Sequence, residues 1–513
     1  MTLLQRISAL LLFNLACPFL PAAQSPDIPA LEASIEQAHV EWRVPGLSVA
    51  IVKDDQVVLS RGFGVRELGK DEKVDGDTLF AIASNTKAFT AAALAILVDE
   101  GRLSWDDRVR DRIPYFKLYA PYVTEEMRIR DLLCHRSGLG TFSGDLLWYL
   151  TSYNREDVIR RAAYLEPAGA FRASYGYSNI MFIAAGEVIP GVSGKTWEDF
   201  VSERILNAIG MRRSVVSVKR LSGMANIATP HADVEGDLTV HEWAPWDTTA
   251  AAGGIISCAN DMARWIRLQL NSGTIDGIRV FSETASRTMW TPHNSIPLTQ
   301  QIKDLFPSTH FREYGLGWNL QDYRGRLLVS HGGAYDGMFS RVVMMPEERL
   351  GLVILTNSTT SIQTALAFDI LDTFLAVEDS DWSRRLLALD RSRDSTSREQ
   401  WRKWEATRLP DTKTSLPLEQ YTGVYGGPLY GDARISLEDG HLVLRLLPAP
   451  DLTADLSHWD LDTFEVRWRK HFPWFGRGKL QFLMDNSARV TEFKLEVPNE
   501  DFWFHELEFK KKD

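Results

Sequence analysis

The sequence predicts an α+β protein that carries a second, all-β domain at its C-terminal end. Three observations lead there. Strand-like runs near residues 45–65 and 327–356 bracket a mainly helical middle, and strands at both ends of a segment close into one sheet with helices packed on it. The composition changes near residue 380, where Arg, Asp, Glu and Ser become dense. Beyond residue 416, apolar and polar residues alternate with period two, as in half-buried strands. At 513 residues the chain exceeds one ordinary core, so several domains are expected.

In chain order, residues 1–23 come first. Arg6 precedes an apolar run from Ile7 to Leu20, followed by Ala22 and Ala23. This is the pattern of a signal peptide, too short for a membrane span. Export to the periplasm or the extracellular space is therefore expected, with no transmembrane span after cleavage. Leu47 to Val52 and Val57 to Leu59 flank an Asp54-Asp55 turn, a hairpin pattern. Ala88 to Val98 is almost wholly apolar and ends at Asp99-Glu100-Gly101, which reads as a buried helix. Ser84 then sits at or near a helix N-terminus. Helical patterns follow around Asp131-Leu132-Leu133, over Glu198 to Ile209, and over Ala259 to Leu270. Strands return at Leu327, and Pro346 to Arg349 joins two more. The expected domains are a catalytic domain over 27–378, a charged helical linker over 379–415 and a small β-barrel over 416–513. In the barrel, Leu442, Leu444 and Leu446 share one face, as do Phe493, Leu495 and Val497, and Leu507 and Phe509.

Composition narrows the function. The chain is 44% hydrophobic and 24% charged, which is globular rather than disordered. Its net charge is −11, with basic residues spread out, which argues against nucleic-acid binding. Outside the leader the only cysteines are Cys134 and Cys258, too few for a disulfide scaffold and read as buried apolar residues. No cysteine–histidine cluster has zinc spacing, and neither metal nor cofactor is expected.

Three short elements carry chemistry. The first is Ser84-Asn85-Thr86-Lys87. A serine hydroxyl needs a nearby base to become nucleophilic, and residues i and i+3 share a helix face. Apolar surroundings disfavour a charged lysine and make Lys87 a base. The second is Tyr175-Gly176-Tyr177-Ser178-Asn179, a phenol and an amide before an apolar run. The third is His331-Gly332-Gly333-Ala334, whose glycines admit a substrate close to the backbone. The Ala334 N–H, with that of Ser84, is suited to an oxyanion hole. Each element alone also has a plain structural reading: a capping serine with a surface lysine, a loop tyrosine with an asparagine cap, and a glycine turn after a strand.

Taken together, in this order and spacing, the elements resemble the serine β-lactamase-like superfamily, in particular its class C β-lactamase, penicillin-binding-protein, esterase and D-aminopeptidase branch. Leu132 to Leu139 and Tyr314-Gly315-Leu316-Gly317-Trp318 also match habits of that family. The resemblance implies a β-lactamase/transpeptidase-like domain: an antiparallel sheet flanked by helices, with a helical subdomain. It implies Ser84 as the acylated nucleophile, Lys87 as its base, and Tyr177 as the partner of Lys87. Asn179, His331, Gly333 and Ala334 become substrate-binding positions. His135 reads as structural, because Lys87 already supplies a base. The family's third triplet commonly begins with lysine, which holds a β-lactam or peptide carboxylate. Here it is His331, mostly neutral at pH 7. The C-terminal domain resembles the lipocalin-like barrels appended to some D-aminopeptidase-type members. The expected function is thus an exported serine hydrolase acting through an acyl-enzyme on esters or small peptide amides. The alternatives are a β-lactamase or D,D-carboxypeptidase, and a catalytically silent binding protein on the same fold.

Overall fold

The structure is a computed structural model that describes residues 26–234, 236–378 and 381–512. The expected signal segment, 1–23, lies outside the described residues. Among these residues no helix is long and apolar enough to cross a membrane.

The first domain is built on an eight-stranded antiparallel sheet. Its strands are β1 (Gly46–Lys53), β2 (Gln56–Gly64), β3 (Asn294–Ser295), β4 (Arg312–Tyr314), β5 (Asn319–Tyr323), β6 (Arg326–Tyr335), β7 (Met338–Met345) and β8 (Leu350–Thr356), in the order β2-β1-β8-β7-β6-β5-β4-β3. The N-terminal hairpin thus pairs with the last strand, Val49 opposite Ile354 and Ile51 opposite Leu352. Central strands bury both faces, so β1 and β8 are almost wholly apolar. Side chains alternate along them. Leu47, Val49 and Ile51 meet helices α1 (Ile28–Glu41) and α5 (Ile362–Phe374), while Ala50 and Val52 join the core on the opposite face.

That second core holds α2 (Thr86–Asp99), α3 (Asn179–Ser193) and α4 (Ala259–Leu270). The α4 bounds match the apolar stripe read from sequence. Strand β8 comes so close to α4 that a Cβ on Gly351 would lie 2.4 Å from Ile266. Both Cys134 and Cys258 are free and buried.

Helix α6 (Trp382–Glu405) leads to a closed eight-stranded barrel: β9 (Gly423–Gly427), β10 (Gly431–Glu438), β11 (His441–Leu446), β12 (Thr453–Asp460), β13 (Thr463–Trp468), β14 (Gly478–Met484), β15 (Val490–Glu496) and β16 (Phe509–Lys511). Tyr421, Tyr425, Phe464, Phe482 and Phe493 fill it, ring against ring. Leu507, read from sequence as part of the last strand, instead follows a 3-10 turn at Phe504–Glu506. That turn serves the interface: Glu506 accepts hydrogen bonds from Ser143 and from the Gly144 N–H of the helical subdomain. The Tyr149 ring packs at a tilt against Phe502, with ring centroids 4.4 Å apart.

Candidate active site

Ser84 lies in a 3-10 turn, Ala83–Asn85, that runs directly into α2. The residue before it, Ala83, has φ +45°, a left-handed conformation costly for a residue with a Cβ. Such strain persists only where packing holds it, and it gathers at functional sites. His135 and Phe142, close to the same cavity, are also left-handed, at +58° and +66°. The turn is clamped from β7, where Ser340 Oγ donates to the Ile82 carbonyl at 2.7 Å and accepts from Asn85 Nδ2 at 2.8 Å.

Lys87, one turn later, is wholly buried. Its Nζ donates to Ser84 Oγ at 3.0 Å, Asn179 Oδ1 at 2.7 Å and the Ala252 carbonyl at 3.0 Å. Burial lowers its pKa to about 7, against a smaller opposing pull from Asp145. Lys87 is thus partly neutral near physiological pH and faces the serine oxygen. The Tyr177 ring lies 4.7 Å from Nζ. Burial keeps the Tyr177 phenol protonated, with a hydrogen bond to Ser84 as the smaller, opposing influence. Tyr177 and Asn179 reach this point because Gly176 lets their segment press on the one before it: a Cβ there would lie 1.9 Å from the Leu139 carbonyl.

Asn179 is doubly engaged. Its carbonyl accepts from Lys87, and its Nδ2 donates to Asp145 Oδ2 at 2.6 Å. One amide N–H remains for a ligand. Asp145 also accepts from Trp148 Nε1 at 2.9 Å, and burial raises its pKa to about 7. Sequence reading passed over Asp145. Its signal was a carboxylate set against Leu146, Leu147 and Trp148, where an ionisable group is costly unless used.

The third element runs along β6. His331 is buried within the strand. Its Nε2 is 2.8 Å from the Tyr314 hydroxyl and its Nδ1 is 2.6 Å from the Gly332 carbonyl. Burial, then the nearby Lys87, drives its pKa down to about 3, so it is neutral. The two glycines differ. A Cβ on Gly333 would lie 2.1 Å from the Ile82 carbonyl, so the protein itself takes that space. At Gly332 the nearest atom would be 3.9 Å away. Ala334 lines the cavity beside them.

His135 supports rather than touches the serine. Its Nδ1 accepts from the Ser178 N–H at 3.0 Å, and its ring stacks on Tyr177 at 4.1 Å. Burial holds it neutral.

Ser84, Tyr177, Asn179, His331 and Ala334 share one cavity of about 320 Å³. The barrel forms part of its wall through Trp474, Asp501 and Phe502. Buried Asp336, just beyond β6, ties that wall down. It accepts from Tyr149 OH at 2.6 Å, Trp246 Nε1 at 2.8 Å and Trp474 Nε1 at 3.0 Å.

A family profile described as Beta-lactamase matches residues 31–372. The chain belongs to the β-lactamase family. A second profile, for a domain of unknown function (DUF3471), matches residues 407–511. Among curated relatives, the chain is 29% identical to an unguisins hydrolase, ungD, of Aspergillus violaceofuscus, over 80% of this chain and 77% of that one. It is 26% identical to protein flp of Staphylococcus aureus, over 64% of this chain and 62% of that one. Among solved structures, the octameric penicillin-binding protein homologue from Pyrococcus abyssi matches with TM-score 0.60 at 22% identity, covering 94% of this chain and all (100%) of that one. EstCE1, a hydrolase with promiscuous acyltransferase activity, matches with TM-score 0.56 at 18% identity, covering 68% of this chain and 98% of that one. The chain therefore has a β-lactamase/transpeptidase-like fold followed by a closed barrel, within a family of hydrolases acting on small molecules.

Proposed function

We propose that the protein is an exported serine hydrolase that cleaves esters or small peptide amides through an acyl-enzyme on Ser84. The observation that carries this is Lys87 Nζ, 3.0 Å from Ser84 Oγ and able to be neutral near pH 7. Lys87 takes the Ser84 proton as Oγ attacks the substrate carbonyl. The N–H groups of Ser84 and Ala334 receive the oxyanion. As the tetrahedral intermediate collapses, the Tyr177 phenol protonates the leaving group and regains a proton from the Lys87 ammonium. Water then cleaves the acyl-Ser84 ester by the same relay. The free N–H of Asn179 holds the acyl side chain's carbonyl, and His331 and Gly333 shape the β6 wall. The hydrolase relative, and the structural neighbour that is a hydrolase with promiscuous acyltransferase activity, support this chemistry. The apolar leader supports export to the periplasm or the extracellular space.

The preference for esters and amides over β-lactams follows from charge. The residue in the family's lysine position is neutral His331. The barrel adds the carboxyl of Asp501, raised to about 6 by burial and then by Glu500. Neither group attracts a carboxylate set beside the scissile bond.

The test is kcat/KM on a short-chain p-nitrophenyl ester, a D-alanyl anilide and a chromogenic cephalosporin, with Ser84→Ala as control. Ester or anilide turnover should exceed cephalosporin turnover, and Ser84→Ala should abolish all three. Dominant cephalosporin turnover would make the protein a β-lactamase. Full activity in Ser84→Ala would move the nucleophile elsewhere.

A further inference from the structure

Arg312 and Arg341 are two neighbouring cations with no carboxylate partner among the described residues. Arg312 opens β4, and Arg341 lies on β7 directly opposite Gly332. Both line a second cavity, of about 260 Å³, under α5 and α6, together with Gln321, Ser361 and Thr364. Neither arginine forms an ion pair among the described residues, and the charge felt most by Arg341 is Arg312 itself. Of the five N–H donors a guanidinium carries, Arg341 directs Nη1 at Thr364 Oγ1 over a long 3.4 Å, and its Nε is buried without a partner. The guanidinium lies over the Phe368 ring, 5.8 Å from its centroid. Asp390 reaches the same cavity, where it accepts from Ser361 Oγ at 3.0 Å.

Two like charges drawn together out of water destabilise a fold unless an opposite charge offsets them. Burial and then Arg312 hold Arg341 down to about 10, the sign expected of a cation lacking its counterion. Arginine is also the residue best shaped to take a carboxylate or phosphate through paired N–H donors.

We propose that this cavity binds a small oxyanion, a carboxylate or phosphate group, between Arg312 and Arg341, with Gln321 and Thr364 adding neutral hydrogen bonds. The site adjoins the catalytic cavity. Gly332 lines that cavity, and Arg341 Nη1 lies 3.9 Å from where a Gly332 Cβ would sit. The anion is either the distal acid group of a substrate or a free anion that sets the field behind His331, on which Arg341 already acts.

Ser84→Ala protein in phosphate-free buffer is titrated calorimetrically with inorganic phosphate and with succinate. Binding then needs no turnover, so its failure is distinct from failure of the hydrolase reading. The expected result is saturable binding of at least one probe, weakened about tenfold or more by Arg312→Gln or Arg341→Gln. Without anion, both variants should melt no lower than the parent, since an uncompensated charge has been removed. Absence of saturable binding for both probes, or binding unchanged in both variants, overturns the proposal. In the active enzyme, two esters identify the source. If Arg341→Gln raises KM for a succinyl monoester well above its effect on a neutral acetate ester, the anion belongs to the substrate. If phosphate alters turnover of the acetate ester without competing, it is a free anion. Either result supports the site.

Discussion

Lys87 shows how one residue's chemistry depends on where it is buried. In water it is a cation. Here three acceptors hold its nitrogen and burial brings its pKa to about 7. Turnover should therefore rise with pH through about 7, as Lys87 loses its proton and becomes a base. Asp145 modulates this through Asn179. Its carboxylate favours the Lys87 ammonium, in the resting enzyme and as Ser84 is deprotonated. Asp145→Asn removes that attraction, so the acid limb of kcat/KM should move to lower pH. The plateau should fall about tenfold or more, because the new ammonium loses its counter-charge. A pH–rate profile reads both. An unmoved limb with a lowered plateau would reduce Asp145 to packing. Lys87→Ala should cost at least about a hundredfold in kcat, the scale of a lost general base.

At the scale of elements, β6 and the turn before α2 must touch for the site to exist. Gly333 permits it, because a side chain there would strike the Ile82 carbonyl that also anchors Ser340. Gly333→Ala should destabilise the protein by about 1–3 kcal/mol, the usual cost of overpacking, and should displace Ser84. Gly332→Ala meets nothing closer than 3.9 Å and should fold normally. Thermal melts of the two variants compare them directly. Equal destabilisation would show that the close approach of Ile82 is not what requires glycine. The glycine pair was legible as a place of close approach. Which glycine admits protein and which faces open space depends on the strand's neighbours, and no local pattern contains them.

For the whole molecule, the barrel is part of the wall of the candidate active site. Phe502 packs on Tyr149, and the indoles of Trp474 and Trp246 share Asp336 as acceptor. Deleting the barrel would expose the apolar surface around Trp148 and Tyr149, so point variants test its role more cleanly. Trp474→Ala should open the cavity and raise kcat/KM for bulky esters relative to small ones by about fivefold or more, the range that pocket contacts supply. Labelling of Ser84 by a small phosphonate should persist. If labelling vanishes while the fold remains, the barrel wall is needed for the chemistry itself.

The sequence by itself determined the α+β architecture, the closing of the N-terminal hairpin on the last strands, the β character of the C-terminal region, and the order of the chemical elements. Each is written in local periodicity or in short motifs: the almost wholly apolar run of α2, the alternation of Phe493 and Leu495, the i, i+3 spacing of Ser84 and Lys87. Tertiary structure alone decided the rest. Asp145 stands 34 residues from Asn179 in the chain yet donates its charge to the same site. Trp474 stands 138 residues from Asp336. His331 is neutral because of what buries it, and Arg312 and Arg341 are a pair only because two strands bring them to one cavity. Periodicity encodes which face of an element is buried. It does not encode which distant groups share that burial, and their mutual desolvation and charge set the chemistry of this site.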